Sequence, residues 1–122
     1  MRRDMDLIRR IALAGSGDTA MPLTELDGVE KPVFVEHVAL MIEAGLVDGV
    51  AAGGRPEARG IAMMHRLTWQ GHDFADSIRD ESVWKSAKEK VIKPTGSWTF
   101  SLLTEVLKME IKRHLPGLEN MI

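Results

Sequence analysis

The segment Thr68-Trp69-Gln70-Gly71-His72-Asp73-Phe74 holds the residue types that most often do chemistry, an imidazole beside a carboxylate. A His–Asp pair makes a general base when the carboxylate orients the ring. Adjacent residues on a helix point about 100° apart and do not face one another. No second His or Cys stands at metal-ligand spacing from His72, and His37, His65 and His114 read as surface or core-edge residues. The chain has no cysteine, which excludes thiolate nucleophiles, disulfides and thiolate metal sites. The glycine-rich run Gly53-Gly54-Arg55-Pro56-Glu57-Ala58-Arg59-Gly60 lacks both the Lys-Ser/Thr ending and the strand-to-helix context of a phosphate loop. The sequence therefore predicts no catalytic residue, no metal and no cofactor, and a protein that is not an enzyme. What remains is the chemistry of charged contact. Arg55 and Arg59 on a flexible tip suit phosphate or a minor groove.

The positioning elements follow from periodicity. Met5, Ile8, Ile11, Ala12 and Gly15 mark a first helix over residues 3–15, ended by Gly15-Ser16-Gly17-Asp18. Residues 19–30 contain Pro22 and Gly28 and leave room for a short strand or irregular segment around Met21–Leu26. Pro32 opens a second helix through Ala44, with Phe34, Val38, Met41 and Ile42 buried and Gly45 as its left-handed stop. Leu46–Ala51 reads as a strand. A loop follows, and Ile61–Leu67 returns with Ile61, Met63, His65 and Leu67 on one face. Thr68 caps a third helix in which Trp69 and Phe74 are expected in the core and Gly71 lets the helix approach the strands. The apolar phase slips after Ile78, predicting a break near Arg79–Glu81 and a new face of Trp84, Ala87 and Val91. Ser97 is expected to cap a last helix to about His114.

The fold class expected is mainly α with a small β-hairpin: a winged helix-turn-helix-like domain plus C-terminal helices. The core would span 1–78, and a helical extension over 79–122 would pack on it as one domain. No apolar run approaches the roughly 20 residues of a membrane span, and the N-terminus lacks a signal-peptide pattern, which implies a cytoplasmic protein.

Charge separates along the chain. Residues 1–15 hold four Arg and two Asp, residues 16–84 hold five basic and twelve acidic residues (net -7), and residues 85–115 hold seven basic and three acidic ones. The net charge of -2 conceals this division.

The run His37-Val38-Ala39-Leu40-Met41-Ile42-Glu43-Ala44-Gly45-Leu46-Val47 resembles the end of the reading helix in repressors of the arsenical-resistance type, where Ala-Gly-Leu-Val leads into the wing. A wider resemblance rests on Arg3-Asp4-Met5-Asp6-Leu7-Ile8-Arg9, Glu43-Ala44-Gly45-Leu46, Leu67-Thr68-Trp69-Gln70-Gly71-His72-Asp73-Phe74, Ile78-Arg79-Asp80 and Val83-Trp84. These segments are similar in order and spacing to a family of short uncharacterised bacterial and prophage proteins, a domain of unknown function predicted to be a winged helix. That resemblance implies a small winged-helix protein of mobile-element type and no established activity.

Two functions compete. As a DNA-binding, transcription-regulator-like protein, the chain would touch double-stranded DNA through Lys31, His37, Arg55, Arg59, Arg2 and Arg3. As a protein-binding module, it would use Val33, Glu36, Leu40 and Glu43 to bind or inhibit a host protein or nucleic-acid-processing complex. Glu36 and Glu43 oppose phosphate, and Val33 and Leu40 offer base edges little beyond a thymine methyl. In the last helix Leu102, Val106 and Met109 form a second apolar stripe suited to a homodimer contact.

Overall fold

The computed structural model describes residues 3–17, 22–52, 60–95 and 99–114. It contains α1 (Met5–Ser16), α2 (Lys31–Glu43), β1 (Val47–Ala52), β2 (Ile61–Leu67), α3 (Trp69–Ile78), α4 (Glu81–Thr95) and α5 (Phe100–His114). The protein is mainly helical with one antiparallel hairpin, as expected. Two compact units divide at Ala75/Asp76, inside α3.

In the first unit α1 starts at the cap Asp4, whose Oδ1 accepts the Leu7 N–H at 3.2 Å. Its buried residues are Met5, Leu7, Ile8, Ile11 and Ala12. Gly15 lies inside the helix rather than at its stop, and a Cβ there would stand 2.5 Å from Met64 Cε and 3.3 Å from Leu67 Cγ. Leu23 then exchanges two backbone hydrogen bonds with Met64, each 2.9 Å long, an isolated bridge in the stretch where the sequence leaves a short strand or an irregular segment open. α2 begins with Pro32 in its first turn and ends in a Schellman motif. Leu46 N–H reaches Met41 O at 2.9 Å, Gly45 N–H reaches Ile42 O at 3.0 Å, and Gly45 has φ +76°. α1 and α2 pack on each other, α1 packs on β2, and α2 packs on both strands.

The hairpin corrects one expectation. Asp48 pairs with Arg66 and Gly49 with Met64, so His65 is an extra residue, a bulge that reverses the inward-outward phase. Ala62, Met64 and Leu67 are all buried as a result, while Ile61, His65 and Arg66 are exposed. Leu67 does not share the face of Ile61, Met63 and His65. Gly49 faces Met64 across the ladder, and a Cβ on it would stand 2.2 Å from Met63 O.

Thr68 caps α3 as expected: its hydroxyl accepts the Gly71 N–H at 3.1 Å and donates to Gly45 O. The buried residues of α3 are Gly71, Phe74, Ala75 and Ile78. Trp69 lies on the opposite side of the helix and is 83% exposed, not in the core.

In the second unit the break falls at Arg79–Asp80. Asp80 Oδ1 accepts the Ser82 and Val83 N–H groups at 2.9 and 3.1 Å and caps α4. Val83, Trp84, Ala87 and Val91 are buried on α4, and Leu103 and Leu107 on α5. The two helices pack together. Thr99 caps α5, accepting the Leu102 N–H at 3.1 Å. Ser97, the expected cap, lies outside the described residues.

Candidate interaction surface

The candidate surface starts from α2. Phe34, Val35, His37, Val38 and Met41 turn inward, so the alternate stripe Val33, Glu36, Leu40 and Glu43 turns outward. Glu43 is exposed, and Val33, Glu36 and Leu40 are half-buried at the rim of the helix. This stripe carries two carboxylates, two aliphatic groups and no basic or amide side chain.

His37 needs correction as a DNA contact. It is 1% exposed, and both ring nitrogens are engaged inside the fold. Asp4 N–H donates to Nε2 at 2.9 Å, and Nδ1 lies 2.8 Å from Val33 O. A backbone donor at Nε2 and a carbonyl at Nδ1 define a neutral ring protonated at Nδ1. His37 therefore ties the start of α1 to α2 and has no edge left for a base.

Among the other expected DNA contacts, Lys31 and Arg3 are exposed, while Arg2, Arg55 and Arg59 lie outside the described residues. The Asp4–His37 bond brings the start of α1 against the middle of α2. On the outer face of the hairpin, Val50 and Ile61 are 54% and 62% exposed, and Arg66 is paired with Asp48 at 3.2 Å.

On α5 the stripe expected at a dimer contact is partly open: Leu102 and Met109 are exposed and Val106 is half-buried. The buried stripe is Leu103, Leu107 and Glu110. Glu110 was not anticipated, although it follows Leu107 by three residues and Leu103 by seven, the spacing of a buried position. Its carboxylate is 1% exposed and accepts from Lys90 Nζ of α4, with Arg113 Nη1 at 3.5 Å. The Lys90 hydrogen bond holds this carboxyl below the usual range against the opposing cost of burial, helped by the Ser86 hydroxyl and the charges of Lys90 and Arg113. An unfolded glutamate titrates at about 4.3. The depressed folded value means that the contribution to stability is complete above that pH and is lost as pH falls through the folded value. Urea unfolding between pH 7 and pH 3 should show Glu110→Gln less stable at neutrality and with a shallower loss of stability on acidification. An unchanged acid slope would remove Glu110 from this role.

Among the described residues no group of three or more His, Asp or Glu side chains could hold a metal ion. No helix of the described residues is long and apolar enough to cross a membrane.

The elements define a mainly helical protein with a small hairpin and an acidic, aliphatic face on the helix that feeds it. The chain belongs to the family described as "Hypothetical protein (DUF2513)", whose model matches residues 2–97 and so ends before α5. It is similar to an uncharacterized protein of Haemophilus influenzae, 29% identical over 119 residues, covering 94% of this chain and 99% of that protein. No solved structure matches it.

Proposed function

We propose that this chain is a small, non-catalytic, cytoplasmic, regulator-like protein of winged-helix type and mobile-element origin, whose α2 face binds a host protein or nucleic-acid-processing complex. What supports the winged-helix reading is the order α1, Leu23 bridge, α2, then the hairpin β1 and β2. Between α1 and α2, residues 22–30 carry a bridge and a turn where a helix-turn-helix has its middle helix. The observation that carries the partner reading is the outward stripe Val33, Glu36, Leu40 and Glu43, with His37 withdrawn from the surface. An aliphatic centre flanked by carboxylates suits a protein surface with a basic rim and repels a phosphate backbone. A homodimer within this proposal would use Leu102, Val106 and Met109.

One observation favours a second reading. Lys31 and Arg3 are both exposed, and with Arg2 and the tip arginines Arg55 and Arg59 they would line a phosphate track. Fluorescence polarisation on varied 25-base-pair duplexes at low salt separates the two. The partner reading expects binding no tighter than the non-specific range of about 1–100 µM, unchanged in an Arg55→Ala/Arg59→Ala double variant. Submicromolar, salt-sensitive binding that collapses in that variant would put the DNA reading in its place.

A further inference from the structure

Trp69 is the most exposed large apolar side chain among the described residues, at 83%, in a residue type that is ordinarily well covered. It does not hang on a loose loop. Thr68, its neighbour, donates its backbone N–H to Leu46 O at 3.0 Å and its hydroxyl to Gly45 O. Gln70 Oε1 reaches to 3.4 Å from where a Cβ on Gly45 would stand. The backbone that carries the indole is therefore anchored at the first turn of α3, beside the α2–β1 turn. An exposed tryptophan on an anchored backbone is among the side chains that most often anchor a protein contact.

The charge around this point selects the occupant. Asp73 lies four residues along α3, on the same side as Trp69, and is exposed. Glu43, two residues before Gly45, is exposed at the C-terminal end of α2, where the helix dipole is negative. Residues 16–84 carry twelve acidic against five basic groups. An indole face beside carboxylates holds a guanidinium by stacking and by charge, and it repels a nucleic-acid strand that would otherwise stack there.

We propose that Trp69, with Asp73 and the Glu43 end of α2, forms a recognition point for an arginine-bearing segment of a protein partner. This rests on the partner reading above and names the chemistry of that partner. The expected pose lays a guanidinium plane on the indole with its N–H groups directed at the Asp73 carboxylate.

The full chain labelled with 5-fluorotryptophan gives one fluorine resonance for each of Trp69, Trp84 and Trp98, and Trp69→Phe assigns the first. Probes are a hexapeptide alternating arginine and alanine, its lysine and glutamate counterparts, and a ten-nucleotide oligothymidylate. The arginine peptide should shift the Trp69 resonance saturably, more weakly with lysine and not with glutamate. Trp69→Ala should weaken binding at least tenfold and Asp73→Asn about threefold, while the circular dichroism melt of either variant stays at the wild-type temperature. The proposal is overturned if the Trp69 resonance does not move, if glutamate or oligothymidylate moves it equally, or if Trp69→Ala binds as wild type. Peptide binding that survives Trp69→Ala but is lost in Leu40→Lys would sink this site and keep the α2 partner face. Binding of oligothymidylate in place of every peptide would sink both.

Discussion

Gly71→Ala is expected to lower stability by about 3 kcal/mol, near the upper end of what overpacking costs. A Cβ at this position would stand 1.9 Å from Leu46 O, 2.9 Å from Leu46 C and 3.2 Å from Leu67 Cβ. The first two are backbone atoms and have no rotamer to escape into. Leu46 O is also the acceptor of the Thr68 N–H, so moving it away gives up that bond. Relief requires α3 to lift off the α2–β1 turn, which loosens the Thr68 cap at the same time. In a domain of this size the expected fall in melting temperature is about 10 °C. Gly28 supplies the comparison. Its φ is +76° but nothing lies within 4 Å of a Cβ there, so Gly28→Ala carries only the conformational strain, about 1 kcal/mol. Thermal melts of the two variants side by side decide the point. Equal losses would mean that the close approach at Gly71 is not what holds α3 in place.

His37→Leu is expected to cost about 2 kcal/mol, although the replacement is apolar and fits a buried position. It removes the acceptor of the Asp4 N–H and the donor to Val33 O, and leucine replaces neither. The first loss is the larger, because the N–H of Asp4 stands at the cap of α1 and leads nowhere else in the helix. Hydrogen exchange should therefore rise at the start of α1 before it rises at the end of α2. A 15N–1H spectrum of the wild type should show Nε2 unprotonated and Nδ1 carrying the proton. If His37→Leu left stability intact but changed affinity for a duplex, the ring would belong to a binding surface and the assignment of its two hydrogen bonds would fall.

Local features were legible in the sequence wherever one residue type and a short period carried the information. Phe34, Val38 and Met41 of α2 and its Gly45 stop, the Thr68 cap, the break before α4 and the Trp84, Ala87 and Val91 face follow from spacing and caps alone, whereas Ile42, expected in the α2 stripe, is only half-buried. Each involves residues within about two turns of one another. The features that were missed depend on what lies across the fold. Leu67 reads as a partner of Ile61 and Met63 until the unpaired His65 reverses the phase. Trp69 reads as core by its type, and only the direction in which α3 meets the α2–β1 turn sends it to solvent. Glu110 has the spacing of a buried position, but a carboxylate is held there only because Lys90 of α4 reaches it.

The sequence by itself determined the order of helices and strands, the places where they stop, the absence of thiol chemistry and the acidity of the middle of the chain. These are properties of composition and of short-range backbone preference, which do not wait for tertiary contact. Only the tertiary structure decided which side chains remain for a partner. It withdrew His37 to tie α1 to α2, left Glu36, Leu40 and Glu43 at the rim of α2, and exposed Trp69. The physical reason is that burial is set by the helices and strands that come to lie against a residue, and those neighbours stand 20 to 40 positions away along the chain, as Leu46 does from Gly71 and Asp4 from His37.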